Sequence, residues 1–162
     1  AQFLRQHTMS VLLNFYSSVW AATTTLTIVR HQPMEKFNFR TAWIFASVTA
    51  DDGVDLPLLI GTADSLNHAI PTRGQITRAL KAIYACGLVD INGVHVQLTP
   101  HGRTVADDGF ARRGGRFCIP DNMRKSLDAA NHPSVVSKPD LSFITDESLA
   151  AAFQEYRKML RS

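Results

Sequence analysis

The chain has 162 residues, of which 45% are hydrophobic and 19% are charged. This length suits one ordinary domain, or one domain with an appended segment, and it allows a buried core without disulfide or metal support. The composition excludes a disordered acidic chain and a collagen-like chain. Lys and Arg number 17 against 14 Asp and Glu, and the resulting formal charge of +3 permits nucleic acid as a partner without requiring it.

Cysteine and histidine usage indicates that the chain holds no metal. The two cysteines, Cys86 and Cys118, form no Cys-x-x-Cys pair, which excludes a zinc site of thiolates and suits a reducing cytoplasm. The six histidines are scattered, with no two at i, i+4 spacing. Phosphate-loop, dinucleotide-binding, serine-hydrolase and zinc-protease motifs are also absent from the sequence. We therefore expect a protein that is not an enzyme and needs no cofactor.

Residues 1–33 differ in composition from the rest of the chain. From Gln6 to Val29 there is no Lys, Arg, Asp or Glu, but many hydroxyl side chains interrupt the apolar residues. A membrane helix needs about 20 mostly apolar residues, so we expect no membrane span here, and the match to a secretory signal is weak. We interpret residues 1–33 as an accessory or non-native leader to a domain that begins near Met34. The alternative is a weak membrane or partner anchor.

Two helices are predicted in the first part of this domain. Asn38 or Thr41 is suited to cap a first helix that runs to about Ala50. This helix is apolar on most sides, so it should be buried. Asp55 is a good N-cap for a second, amphipathic helix, with Pro57 in its first turn.

A third helix follows, and its boundaries are clear in the sequence. Pro71 should end the second helix. Thr72 and Gln75 have the spacing of a capping box, which predicts a helix start. Gly87 stands where a glycine commonly ends a helix.

The hydrophobic period then changes from that of a helix to that of strands. Residues 88–91 form a short predicted strand, and Asn92-Gly93 is a strong hairpin signal. Residues 94–98 alternate between apolar and polar types, as expected for the return strand. Thr99-Pro100 then predicts the cap and first residue of a fourth helix.

The C-terminal third divides into two parts. Residues 111–140 are predicted to contain a flexible basic loop (Arg112–Arg116), a short helix (Pro120–Asn131) and a linker. Residues 141–162 should form an amphipathic helix that is capped at Thr145 and runs to about Leu160. Its apolar stripe either packs on its own domain or pairs with a second copy. The stripe, and hence the candidate dimerisation surface, consists of Leu149, Phe153, Tyr156 and Leu160.

Three helices followed by a two-stranded hairpin is the order of a winged helix-turn-helix. Residues 76–89 resemble the recognition-helix segment of MarR- and PadR-type regulators, and residues 96–102 resemble their second wing strand with the Leu-Thr-x-x-Gly that follows. Residues 66–72 also resemble a turn of uncharacterised bacterial winged-helix proteins. The resemblance covers about residues 37–108. It implies a mainly α fold with a small β-hairpin (α+β), in which residues 34–110 are a winged helix and further helices follow.

The same resemblance implies a transcriptional regulator that binds double-stranded DNA. With about 100° per residue, the third helix directs its charged side chains away from its apolar stripe. Arg can pair with guanine, Gln with adenine, and Lys can neutralise phosphate. The basic loop offers further phosphate contacts, although such charges are also what solubility requires. The predicted DNA-contacting residues are Arg73, Gln75, Thr77, Arg78 and Lys81 of the helix and Arg112, Arg113 and Arg116 of the loop.

Two features favour the alternative, a winged helix that serves as a protein-interaction scaffold without binding DNA. The predicted hairpin tip, residues 92–95, carries no Lys or Arg, and the region of the second helix is acidic. Bulk charge gives little support either way, because the chain from Met34 onward has 15 basic and 14 acidic residues. The acidic residues near the second helix are Asp51, Asp52, Asp55 and Asp64.

Dimerisation by terminal helices, which the resemblance implies, would place two recognition helices about one DNA turn apart.

Overall fold

The computed structural model describes residues 37–49 and 52–161, all within one unit of the chain, Glu35–Ser162. The interpretation of residues 1–33 as a leader lies outside these described residues. The helices in this part of the chain are α1 (Phe39–Ala46), α2 (Leu56–Asn67), α3 (Arg73–Ala85), α4 (Pro100–Ala111), α5 (Ile119–Ala129) and α6 (Asp146–Met159). A hairpin of β1 (Val89–Asn92) and β2 (His95–Leu98) follows α3, and a 3-10 turn (Arg116–Cys118) precedes α5. The predicted combination of many helices with one small hairpin is confirmed.

Helix α1 lies at the centre of the core, as its composition predicts. Residues 41–48 are all buried, and α1 packs against α2, α3 and α5. The indole Nε1 of Trp43 donates a hydrogen bond of 2.9 Å to the carbonyl of Ala63, which ties α1 to α2. Asn38 is the N-cap, but the helix ends at Ala46 and not near Ala50. It stops there because the Ser47 hydroxyl bonds back to the Trp43 carbonyl and the last turn tightens.

The caps of α2 and α3 are those that the sequence predicts. The Asp55 carboxylate accepts a hydrogen bond from the Leu58 amide at 3.0 Å. The side chains of Thr72 and Gln75 each accept from the other's backbone amide, which completes the capping box. Helix α2 ends at Asn67, before Pro71, because His68 adopts a left-handed conformation with φ of 49°.

The hairpin forms in the predicted place, with its tip one residue further along. Asn92 pairs with His95, so Gly93 and Val94 occupy the tip. Gly93 has φ of 60° and Val94 has no positive φ, which matches a type II′ turn with glycine first. The sequence did not indicate that Val54, between α1 and α2, bridges Val96 of β2 through hydrogen bonds of 2.8 and 2.9 Å. The element order is therefore helix, bridging residue, helix, helix, hairpin and helix.

The fourth helix approaches the hairpin very closely at one glycine. A Cβ at Gly102 would overlap the backbone carbonyl of Leu88, so no larger residue fits there without displacing α4. Thr99 supports the same junction, because its hydroxyl caps α4 and donates to the Gly87 carbonyl at 2.7 Å. This contact gives a physical reason for the glycine of the Leu-Thr-x-x-Gly run.

The C-terminal helices also form where they are predicted, with small differences at their ends. Helix α5 begins one residue before Pro120 and ends at Ala129. Helix α6 is capped by Thr145, as expected, and packs against α2. Among residues 37–49 and 52–161, no helix has the length and apolar character required to cross a membrane.

Candidate nucleic-acid interface

Helix α3 has a buried face and a basic outer face. Arg78 and Lys81 are exposed, as the helical angle predicts, and no other described residue forms a hydrogen bond or ion pair with either side chain. The helix contains no carboxylate. Gly74 and Ala85 are exposed on the same side and leave the backbone uncrowded there. The buried face consists of Ile76, Ala79, Leu80 and Ile83.

Gln75 and Thr77 are less available for contact with DNA than Arg78 and Lys81, and Gln75 forms the capping box that the sequence predicts. The side-chain Oε1 of Gln75 accepts a hydrogen bond of 2.8 Å from the Thr72 amide, so this residue first stabilises the start of α3. Both Gln75 and Thr77 are half-buried. They lie at the margins of the basic face rather than at its centre.

Arg73, the first residue of α3, binds to the beginning of α6. Its Nε donates to the carbonyl of Ile144 at 2.9 Å, and its Nη1 lies 3.3 Å from the Asp146 carboxylate. Because both charged side chains are more than half exposed, the ion pair itself contributes little stability. The pKa of Glu147 is lowered, chiefly by hydrogen bonds at the helix start and least by the charge of Arg73. Arg73 therefore joins α3 to α6.

The segment between α5 and α6, residues 132–145, lies against α3 and is called the strap below. Near its start, the Val135 amide donates to the carbonyl of Ala85 at 2.9 Å. A hydrogen bond of 3.1 Å joins the hydroxyls of Tyr84 and Ser137. The strap thus meets α3 at the C-terminal end of the helix, and its contact with Arg73 lies at the N-terminal end.

The strap covers one flank of α3 and leaves the basic face open. With about 100° per residue, Arg73, Thr77 and Tyr84 fall within about 40° of one another around the helix axis. Two of these three residues bond to the strap, which agrees with the partial burial of Thr77 between them. Arg78 points to the side away from this flank.

The basic loop divides into a fixed arginine and two exposed ones. Arg112 donates to the Asp108 carboxylate at 3.1 and 2.8 Å and to the Ser126 hydroxyl at 2.9 Å. Hydrogen bonds from Ser126 and Arg112 lower the pKa of Asp108. Arg113 and Arg116 are exposed, and within the described residues no ion pair involves them.

Sequence reasoning missed an exposed aromatic residue beside this loop. Phe117 is 72% exposed, and its ring lies 5.7 Å from that of His68, measured between centroids. His68 ends α2, so Phe117 and the adjacent Arg116 lie next to the turn that leads into α3. The local sequence has no feature that distinguishes an exposed Phe117 from a phenylalanine of the core.

The apolar stripe of α6 packs largely on its own domain, which is one of the two alternatives that the sequence left open. Tyr156 is buried against Gly61 of α2, and its hydroxyl donates to the Asp64 carboxylate at 2.6 Å. Leu149 and Phe153 are half-buried against the core, whereas Leu160 is 68% exposed. Of this stripe, Leu160 is thus the residue left most exposed.

Two of the acidic residues near α2 have internal roles. Asp55 caps α2, and Asp64 accepts from Tyr156. Asp52 is exposed, and Asp51 lies outside the described residues. Over the described part of the chain, no group of three or more His, Cys, Asp and Glu side chains is arranged to hold a metal ion.

Comparisons with known proteins add no relative. No family model, no curated protein and no solved structure matches this chain. Its function must therefore be inferred from the geometry of α3 and its surroundings.

Proposed function

We propose that this part of the chain is a cytoplasmic winged helix-turn-helix that regulates transcription by binding double-stranded DNA through α3. The observation that carries the proposal is the outer face of α3. Arg78 and Lys81 are exposed there, on a helix of 13 residues without a carboxylate. Such a face attracts a polyanion and presents a side chain that can read guanine.

The order and size of the elements support the same proposal. A helix of this length spans about 20 Å, and an α-helix fits the major groove of B-DNA, which is about 12 Å wide. Only residues 68–72 separate α2 from α3, and the hairpin follows α3 directly. Val54 pairs with Val96 on the free edge of β2 in an isolated antiparallel bridge. Because Val54 directly precedes the N-cap of α2, this bridge attaches the hairpin to the helices.

The contacts within the domain refine which residues would bind DNA. We assign base reading to Arg78 and a phosphate contact to Lys81. Arg113 and Arg116 are suited to further phosphate contacts because both are exposed. Arg73 and Arg112 form hydrogen bonds within the domain, so their first role is structural: Arg73 joins α3 to the start of α6, and Arg112 joins α4 to α5.

The test is binding of the full chain to a DNA duplex of about 30 base pairs at increasing salt concentration. Lys81→Ala should reduce the slope of log K against log salt by about one, as expected when one phosphate contact is lost. Arg78→Ala should cost about 1–3 kcal/mol and relax preference at one base position. Lys125→Ala, which removes an exposed lysine from α5, is the matched control. No binding by the unchanged chain at low salt would refute the proposal.

A protein-interaction module is the second candidate function, and two observations favour it. The hairpin tip is exposed and carries no Lys or Arg. An apolar groove of about 400 Å³ lies between this tip, the start of α2 and α6. Val94, which is 52% exposed, and Phe143 line it and offer contacts for an apolar side chain of a partner. Absence of DNA binding would leave this function as the better supported one.

A further inference from the structure

The strap is held against the C-terminal half of α3 by several independent contacts. It begins at His132, which is buried and whose Nε2 donates to the Leu127 carbonyl at 2.7 Å. Pro133 then packs on Gly87, directly after α3. The hydrogen bonds to Ala85 and Tyr84, described above, fix the next turn of the strap. These contacts hold residues 132–137 of the strap beside the C-terminal end of α3.

These contacts place one lysine of the strap directly after a residue that bonds to the C-terminal end of α3. Lys138 follows Ser137 directly, and consecutive Cα atoms are about 3.8 Å apart. Tyr84, to which Ser137 bonds, lies three residues after Lys81 and therefore about one helical turn away. Lys138 is exposed, and no described residue forms a hydrogen bond or ion pair with it.

The acidic residues of the same region lie elsewhere or bind locally. The Asp140 carboxylate accepts a hydrogen bond from the Ser142 amide at 3.0 Å, which lowers its pKa and keeps it charged. Asp146 and Glu147 lie at the opposite end of α3, beside Arg73. Arg73 at the N-terminal end of α3 is thus paired with Asp146, whereas Lys81 and Lys138 have no ion-pair partner among the described residues. These two lysines are therefore the unpaired cations of this flank, with Asp140 as a charged carboxylate two residues after Lys138.

A helix in the major groove has phosphates on both sides, and flanking cations strengthen its binding. The hairpin tip offers no such cation. We infer that the strap, rather than the hairpin, forms a wall of the DNA-binding surface, with Lys138 as a phosphate contact beside Lys81. This inference rests on the proposed DNA binding of α3 and names a further part of the same surface.

The first experiment repeats the salt titration on the full chain with Lys138→Ala, and with Lys125→Ala as control. Lys138→Ala should lower the salt slope by about one and weaken binding several-fold at low salt, while Lys125→Ala leaves both unchanged. Lys138→Arg should restore the slope because it keeps the charge. Circular dichroism of each variant checks that the fold is retained.

A second variant tests whether the strap positions this lysine. Tyr84→Phe removes the hydroxyl that bonds Ser137 without removing any charge. If the strap places Lys138, then Lys138→Ala should have a smaller effect in the Tyr84→Phe background than in the unchanged chain. Equal effects in both backgrounds would contradict the positioning.

The outcomes separate this inference from the function on which it rests. If the chain binds DNA, and Lys81→Ala weakens binding while Lys138→Ala leaves the salt slope unchanged, the strap is not part of the surface and the proposed function stands. If the unchanged chain binds no DNA at low salt, both are wrong. If Lys138→Ala and Lys81→Ala both flatten the slope and Lys125→Ala does not, both are supported.

Discussion

The sequence predicts both α1 and α6, but the two helices differ in how much of their surface is buried. Helix α1 has eight residues, of which 41–46 are buried, and it carries no acidic residue in its first turn and no basic residue in its last. Helix α6 has fourteen residues, of which only Ala152 and Tyr156 are buried. It carries acids in its first turn, bases in its last turn and a capping box at Thr145.

The difference shows where the stability of each helix originates. An isolated helix shorter than about 12–15 residues is marginal in water, so α1 exists because its neighbours surround it. Helix α6 contacts the domain along one side and obtains additional stability from its cap and from charges that match the helix dipole. Core substitutions should therefore damage α1 most, and α6 should respond moderately to changes at its single contact face.

The largest expected effect is at the centre of α1. Phe45 is completely buried, so Phe45→Ala should lower the free energy of unfolding by about 3–5 kcal/mol through lost burial and a remaining cavity. Chemical denaturation of the full chain, followed by circular dichroism, measures this loss.

Phe39→Ala is the matched control on the same helix. Phe39 is 37% exposed at the start of α1, so its removal should cost about 1–2 kcal/mol, clearly less than removal of Phe45. Similar losses for Phe39→Ala and Phe45→Ala would mean that α1 is not the centre of the core.

An intermediate effect is expected where α6 contacts α2. A Cβ at Gly61 would lie 3.0 Å from the ring of Tyr156, so Gly61→Leu must push α6 outward. We expect a loss of about 1–3 kcal/mol in the free energy of unfolding, measured by the same denaturation. Gly74→Leu, at an exposed position of α3, should be neutral or slightly stabilising.

A double variant sharpens this test. If the damage comes from the Tyr156 ring, Gly61→Leu should cost much less in a Tyr156→Ala background. Additive losses would show that α6 does not contact α2 through this pair.

The sequence predicted the parts of the fold that depend on local chemistry. Asp55, Thr72 and Thr145 act on residues within three positions of themselves, and each is a cap in the structure. The exposure of Arg78 and Lys81 was equally predictable, because the helical angle alone determines it. Their role in DNA binding stays a prediction.

What the sequence could not supply are contacts between distant segments. Arg73 and Ile144 are 71 positions apart, and an arginine that bonds a carbonyl looks the same in a sequence as one that meets a phosphate. The bridge of Val54 to Val96 was missed because a single paired residue has no periodicity. The pairing of Arg112 had a local signal, because Asp108 precedes it at i, i+4 spacing.

The smallest expected effect concerns the hydrogen bond that ties α6 to α2. Tyr156→Phe removes only the hydroxyl that donates to Asp64, so the free energy of unfolding near neutral pH should fall by about 1 kcal/mol. This hydrogen bond is also the main cause that raises the pKa of Tyr156, followed by burial and the charge of Asp64.

A raised pKa fixes the direction of the pH dependence. The contribution of this hydrogen bond is fully present below about pH 10, the ordinary value for tyrosine, and is lost as the pH rises through the higher pKa of the folded protein. Other groups titrate in the same range, so the measured quantity is the difference between the unchanged chain and Tyr156→Phe. That difference should shrink as the pH is raised from about 9 to about 11. A difference that stays constant would mean that Tyr156 does not donate to Asp64, and that α6 is held on α2 by apolar contact alone.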